Sequence, residues 1–254
     1  MTNRKNPPII LITGATDGIG RALAQQYHAT GARLVLIGRR PLHTLDAAIF
    51  TPERYCRIDL TQPFAAALVT EFLRKHAIER LDLLIHNAGV GSYGPIAAQS
   101  AVSIDVILNT NLSAPIALTH ALLEWLIAAR GRVVLIGSVA AALPAPEYAV
   151  YAASKAALEG FGRSLRVEQR GQIGVQVIHP GATRTSMHQK IGAPLERMGW
   201  QRFPSPEHTA THIMHTIEQG PVVATIGMGN QLLRLLGHHT GPIIDWLMSL
   251  QKRA

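Results

Sequence analysis

Cysteine is almost missing: Cys56 is the single one in 254 residues, which excludes an intramolecular disulfide framework and fits a reducing compartment. Aromatic residues are scarce at 5%, and acidic residues are outnumbered 16 to 24 by Lys and Arg, giving a net charge of +8 and a pI of about 10.1. That excess invites a nucleic-acid partner, because basic surfaces draw phosphates. The cations are scattered instead of gathered in a stripe, and no helix-turn-helix, zinc-finger or RNA-binding signature is present, so no nucleic-acid partner is expected. Long apolar runs are also lacking. None reaches the roughly 20 residues of a membrane-spanning helix, and no signal-peptide h-region follows Arg4-Lys5. The expectation is a soluble, cytoplasmic protein. Nor is there an internal repeat or low-complexity linker, and 47% hydrophobic residues suffice for one large core, so residues 1–254 read as a single domain.

What is present is an alternation of short apolar runs with helical patterns. Pro8 to Thr13, Arg33 to Gly38, Arg54 to Asp59, Leu81 to His86, Val133 to Gly137 and Val175 to His179 read as strands, and Val222 to Gly227 fits a last one. Between them, Ala22, Leu23, Tyr27 and Ala29 mark a packed helix face that stops at Gly31, and Gln62 to His76 forms a helix carrying Phe64, Leu68 and Phe72. Strand and helix in alternation predict an α/β fold, a Rossmann-type doubly wound parallel sheet of about seven strands with helices on both faces. Ligands in such sheets sit at the C-terminal ends of the strands.

At the first such end stands Thr13-Gly14-Ala15-Thr16-Asp17-Gly18-Ile19-Gly20. Glycines at 14, 18 and 20 allow a tight turn and let backbone N–H groups approach a pyrophosphate at a helix N-terminus. The spacing differs from G-x-G-x-x-G, and a plain strand-to-helix connection would explain it equally well. About twenty residues on, where NAD-binding folds place a carboxylate against the ribose 2′-hydroxyl, this chain has Gly38 followed by Arg39 and Arg40. Two guanidiniums match a 2′-phosphate, so NADP(H) is favoured over NAD(H), against the simpler reading of a solvated basic loop. Asp17 counts against this, since a carboxylate near that phosphate repels it.

The second constellation is Ser138 with Tyr151-x-x-x-Lys155. A helix from about Tyr148 stacks residues four apart on one face and sets the ammonium beside the phenol, and a cation there lowers the phenol pKa towards a useful range. Ser138, ending an apolar run, would hydrogen-bond the same substrate oxygen. By itself the pair is equally a solvated helix face.

Taken in order, Thr13-Gly14-x-x-x-Gly18-x-Gly20, Asn87-Ala88-Gly89, Asn111, Ser138, Tyr151-x-x-x-Lys155 and Pro180-Gly181 with Thr185 resemble the short-chain dehydrogenase/reductase family in its short single-domain form. The resemblance runs from about Pro8 to Thr185. It implies Tyr151 as general acid or base, Ser138 orienting the substrate oxygen, and Lys155 lowering the Tyr151 pKa and holding the nicotinamide ribose. Asn111 would anchor a water linking Lys155 to solvent. Gly14, Thr16, Asp17, Gly18, Ile19 and Gly20 would line the cofactor phosphates, and Asp59 and Leu60 would edge the adenine. Asn87, Ala88 and Gly89 would steady the strand beneath the cofactor, and Pro180, Gly181, Thr183 and Thr185 would cover the nicotinamide. His86 stands where many members have asparagine.

The family keeps its substrate lid where this chain turns irregular, Ser186 to Ser205. Met187, Ile191, Leu195, Met198, Trp200 and Phe203, with Leu143 and Tyr148, point to a hydrophobic small-molecule carbonyl or alcohol, although core packing explains most of them too. His208, His212 and His215 share helical spacing, but no HExxH or cysteine pair accompanies them, so no metal is expected. The tail from about residue 230 to 254, with Leu232 to Leu236 and Pro242 to Leu250, is apolar. It would pack on a second subunit in a homodimer or homotetramer, or rest on a membrane surface. The function expected is an NADP(H)-dependent oxidoreductase; the alternatives are an idle NADP(H)-binding sensor on the same fold and a membrane-peripheral reductase of lipids or steroids.

Overall fold

Along the first strand, β1 (Ile9–Thr13), every residue is buried, and successive side chains enter different cores. Ile9 and Leu11 pack with one cluster and Ile10 and Ile12 with another, the two-residue period of a strand covered on both faces. The structure, a computed structural model, describes residues 7–196, 198–242 and 244–246. Among them a seven-stranded sheet is formed by β1, β2 (Arg33–Gly38), β3 (Tyr55–Arg57), β4 (Leu83–His86), β5 (Arg132–Ile136), β6 (Gly174–His179) and β7 (Val223–Thr225). All pairings are parallel and the order is β3-β2-β1-β4-β5-β6-β7. The order reverses direction at β1, and the crevice beside that reversal is where such sheets hold ligands.

Helix α1 (Gly18–Ala29) follows β1, α2 (Ala65–Lys75) follows β3, and α3 (Ala101–Leu108) runs through a π-turn at Asn109–Ser113 into α4 (Ala114–Ala121) and α5 (Leu123–Ala129). Then come α6 (Ala149–Glu168), α7 (Ser186–Lys190), α8 (Pro206–Gln219) and α9 (Met228–His239). Val69 and Leu73 of α2, Leu118 of α4 and Leu158 and Leu165 of α6 fill one face of the sheet. Leu23 and Tyr27 of α1 with Ile213 and Ile217 of α8 fill the other. Each fully buried leucine or isoleucine contributes roughly 1.5–3 kcal/mol of transfer free energy.

Several elements end short of their sequence limits for local reasons. The strand read over Arg54 to Asp59 stops at Arg57 because the Asp59 carboxylate turns back on Thr61, accepting from its backbone N–H at 3.0 Å and its hydroxyl at 2.9 Å. The helix read from Gln62 starts at Ala65, beyond Pro63, and turns Phe64 and Leu68 outward, 73% and 46% exposed. Ala29 is exposed as well, beyond the packed face of α1. Cys56 is buried in β3, as its apolar neighbours imply, and burial pushes its thiol up to about 11.

The run Ala101–Ala121 has the length and mean hydropathy, 1.4, of a spanning helix although no unbroken apolar stretch exists in it. Only 28% of that window is buried, and Val102 and Ile116 face outward, so one side of the run is packed and the other exposed. Asn111 at its centre is fully buried, donating to the Val90 carbonyl and to the Ser154 hydroxyl and accepting from the Val90 N–H. Helix α9 leaves Met228, Leu232, Leu233, Leu235 and Leu236 exposed, while Met1 to Asn6 and residues 247–254 of the apolar tail lie outside the described residues.

Candidate active site

The C-terminal ends of β1, β4, β5 and β6 open into one cleft of about 750 Å³. Its phosphate-side wall is the turn from Gly14 to Gly20. Gly14 has φ +65°, and a Cβ there would lie 2.8 Å from Ala88 Cα; a Cβ at Gly20 would run into the Gly14 carbonyl and the Asn87 amide. Glycine is therefore required for the turn to lie against the Asn87-Ala88-Gly89 segment. The Asn87 side chain locks the two together, donating to the Thr13 and Gly14 carbonyls at 3.0 and 3.2 Å, while the Thr13 hydroxyl accepts from the Asn87 and Ala88 N–H groups.

Asp17 is not the free repelling charge that its position in the turn suggests. One carboxylate oxygen caps α1 at the Gly18 N–H, 2.8 Å, and the other accepts from Lys190 at 2.7 Å and from the Ser186 hydroxyl. Burial pushes its pKa up, but the hydrogen bonds from Lys190 and Ser186 and the Lys190 charge hold it below the usual carboxylate value.

Arg39 and Arg40 stand at the far end of the same cleft, with Gly38, Asp59 and Leu60. The Arg39 guanidinium is 62% exposed and 3.6 Å from Asp59, and Arg40 donates to the Thr44 carbonyl at 3.3 Å. The Tyr55 hydroxyl and Arg57 side chain hold the Arg40 and Arg39 carbonyls, so the backbone of the pair is fixed while the Arg39 head reaches solvent. Glycine turn, exposed guanidinium and the Asp59–Leu60 loop thus lie along one cleft, with backbone N–H groups and a cation available to an anionic nucleotide.

The opposite end carries the reacting groups. Ser138 leaves β5, and its hydroxyl oxygen accepts the Ala140 N–H at 3.2 Å. Tyr151 and Lys155 project from one face of α6. Burial raises the Tyr151 pKa, and a hydrogen bond with Ser138 opposes that rise. Lys155 differs from the sequence expectation. Its ammonium donates to the Ile136 carbonyl at 2.8 Å and lies 5.8 Å from the Tyr151 ring centre, so in this geometry it does not draw the phenol down. Burial lowers Lys155 itself to about 8. Asn111 is beside them, its side chain engaged with Val90 and Ser154.

Leu143, Tyr148 and Met187 line this end, with Ile191 and Met198. Leu195, Trp200 and Phe203 do not; Trp200 packs on His188 and Phe203 on Trp200, behind the wall. Burial, with Tyr93 and Tyr151 nearby, pushes the Tyr148 phenol up to about 12, so it stays protonated opposite His188 Nδ1 at 3.3 Å. Pro180, Gly181, Thr183 and Thr185 roof the cleft, although the Thr183 hydroxyl is spent on the Gly181 carbonyl and Thr209. Among the described residues no three metal-ligating side chains converge: His208 and His212 touch at 3.2 Å while His215 meets Gln219.

A family model described as short chain dehydrogenase matches residues 8–196. The chain belongs to the short-chain dehydrogenase/reductase family. It is 39% identical over 193 residues to dehydrogenase/reductase SDR family member 7B of Bos taurus, a match covering 70% of this chain and 59% of the relative. An 11-beta-hydroxysteroid dehydrogenase-like protein 4A of Arabidopsis thaliana is 33% identical over 193 residues, covering 71% of this chain and 62% of that one. The chain thus spans about three fifths of the length of these curated relatives. A short-chain dehydrogenase from Sphingobium yanoikuyae in complex with NADPH superposes with a TM-score of 0.78 at 28% identity, over 94% of this chain and 96% of that chain.

Several members of the cleft escaped sequence reasoning in this short-chain dehydrogenase. Among them, His188, Lys190 and Asn230 come from segments far along the chain, and no local motif marks them. Only the acid Asp17, set alone in a phosphate-binding turn, signalled that a cation such as Lys190 had to arrive from elsewhere.

Proposed function

We propose that the chain is an NADP(H)-dependent oxidoreductase that interconverts a carbonyl and an alcohol on an apolar small molecule. The observation that carries this reading is the meeting of Ser138, Tyr151 and Lys155 in one cleft whose other end holds the glycine turn and Arg39. Gly14 to Gly20, Arg39, Arg40, Asp59 and Leu60 would hold the phosphates and adenosine, and Asn87 to Gly89 and Pro180 to Thr185 the nicotinamide side. When bound, the nicotinamide supplies or accepts the hydride. Ser138 turns its hydrogen from Tyr151 to the substrate oxygen and orients it. Tyr151 gives its proton to that oxygen during reduction and takes it back in oxidation. Lys155, already close to neutral pH in its pKa, stands by as the next proton carrier along the same helix face.

Leu143, Tyr148, Met187, Ile191 and Met198 favour an uncharged, hydrophobic substrate. The hydroxysteroid dehydrogenase-like relative supports a bulky one. The NADP preference is supported by Arg39 and Arg40 and by the NADPH complex of the similar dehydrogenase. The segment from 186 to 205 acts as the substrate lid in this reading.

The test is a fluorescence titration of the purified chain with NADPH and with NADH, followed by a screen of aldehydes and ketones with the tighter cofactor. NADPH binding at least tenfold tighter, with turnover of apolar carbonyls, is expected. Tighter NADH would overturn the role of Arg39, and cofactor binding without turnover would favour an idle sensor.

A further inference from the structure

Helix α9 turns Asn230, Arg234 and Gly237 to one side, at the spacing of a helix face, and that side lies against the loops framing the reacting end of the cleft. A Cβ at Gly237 would run into the Ala142 carbonyl oxygen, and one at Gly181 into the Asn230 amide. Between these two contacts sits Arg234, 6% exposed. Its guanidinium meets both Glu159 oxygens at 3.1 Å, His179 Nδ1 at 3.1 Å and His238 Nε2 at 3.2 Å.

His179 ends β6 and is completely buried. Its Nδ1 accepts the backbone N–H of Ser138 at 3.2 Å, and its Nε2 lies 3.5 Å from the Glu159 carboxylate. Gly137, the residue before Ser138, is what admits the ring, because a Cβ there would fall 2.5 Å from Nδ1. The Ser138 carbonyl is also 3.0 Å from Nδ1 and would welcome a proton on it. Arg234 weighs against that: its N–H and the Ser138 N–H both aim at Nδ1, and a bare Nδ1 puts the ring proton on Nε2, 3.5 Å from Glu159 and without a hydrogen bond among the described residues. Burial and the Arg234 charge push the His179 pKa down to about 4, with Glu159 and the nearby Ser138 carbonyl opposing, in keeping with a neutral ring. Glu159 belongs to α6, the helix of Tyr151 and Lys155, so one buried network ties α9, α6 and the end of β6 together behind the serine.

We propose that Arg234 and His179 are positioning residues for Ser138: Arg234, held by Glu159, fixes His179 as the acceptor of the Ser138 backbone N–H and thereby sets the serine hydroxyl towards the cleft. The inference rests on the reading of Ser138 given above. Neither residue touches substrate or cofactor in this account. Burying the Glu159–Arg234 pair costs desolvation that its packing alone need not return, and a fixed serine is what the pair secures.

The full chain, labelled with nitrogen-15, tests the network without any substrate. His179 is expected to show an unprotonated Nδ1 and a protonated Nε2, and Arg234→Met is expected to shift the Ser138 amide resonance while Arg234→Lys leaves it nearer the native position. A protonated Nδ1, or a Ser138 amide indifferent to Arg234→Met, overturns the proposal. In the kinetic arm, benzaldehyde reduction with NADPH is compared for His179→Leu and His179→Asn, since the asparagine side-chain carbonyl can accept the same N–H. His179→Leu should lower kcat by about tenfold or more with the NADPH dissociation constant within about twofold, and His179→Asn should recover most of kcat. Equal kcat in the two variants overturns the positioning role. Absence of NADPH binding or of benzaldehyde turnover in the unaltered chain strikes the proposed function instead, and the spectra still decide the network.

Discussion

Tyr151 must give up or take a proton in the proposed reaction, yet its burial favours the neutral phenol. With the ammonium of Lys155 turned to the Ile136 carbonyl, only Ser138 opposes that effect. In Tyr151→Phe the ring and its packing remain while the transferable proton is gone. Turnover should fall by about 100-fold or more, with NADPH affinity nearly unchanged in a fluorescence titration. Loss of cofactor binding alongside activity would remove Tyr151 from the acid–base role. At the other end of the cleft, Arg39 is held loosely by Asp59 and is free to turn to a phosphate. Arg39→Asp should raise the NADPH dissociation constant about tenfold or more and leave NADH within about threefold, because a charge-assisted bond to the 2′-phosphate is lost and a repulsion replaces it. Equal weakening of both cofactors would mean that Arg39 does not meet that phosphate.

At the scale of elements, the short helix α7 is tied to the glycine turn by Lys190 and Ser186 on Asp17, so the segment over the reacting end is fastened to the segment under the phosphates. The ion pair is largely exposed, 67% and 48% for its two side chains, and such pairs add at most about 1 kcal/mol to stability. Lys190→Met should therefore leave the melting temperature within a few degrees while NADPH release, followed by stopped-flow fluorescence, speeds up several-fold. Unchanged release would show that α7 does not restrain the cofactor. The strands and helices that carry this site were legible because apolar runs stopping at Gly14, Asn87, Ser138 and Pro180 mark strand ends facing one crevice. Tyr151 and Lys155 were legible because helical spacing alone brings them to one face. Lys190, Asn230 and Arg234 were not, since their partners Asp17, Gly181 and His179 are distant in sequence and only the closing of α7 and α9 over the sheet brings them near. The direction of Lys155 was illegible for a related reason. Spacing predicts which face a side chain leaves from, and the choice between a phenol and the Ile136 carbonyl is made by the neighbouring strand.

Taken as a whole molecule, the chain buries three imidazoles among the described residues, His86, His179 and His188, each held below its ordinary value by burial, and this sets how it responds to acid; the first two shift furthest. His86 ends β4 with only the Thr119 hydroxyl on its Nε2, 2.9 Å away, and no hydrogen-bond partner for Nδ1 among the described residues; burial lowers it to about 3. His179 is lowered to about 4 by burial and by Arg234. Both folded-state values lie below the ordinary imidazole value near 6.5, so the unfolded chain takes up protons before the folded one does. The stability these rings contribute is complete above about pH 6.5 and is lost as pH falls towards their folded-state values. By pH 4.5 each accounts for a loss of about 2.5 kcal/mol, at 1.36 kcal/mol per pH unit over the interval below 6.5. Urea unfolding at pH 7.5, 6, 5 and 4.5 should show this decline beginning above the range in which carboxylates titrate. In His86→Asn the pH 7.5 value is set by local packing, but the slope between pH 6.5 and 4.5 should become shallower by about 1 kcal/mol per pH unit, because one of the proton-binding sites exposed on unfolding is gone. An unchanged slope would mean that His86 is already protonated in the folded chain, and that its place against Thr119 does not exclude the charge.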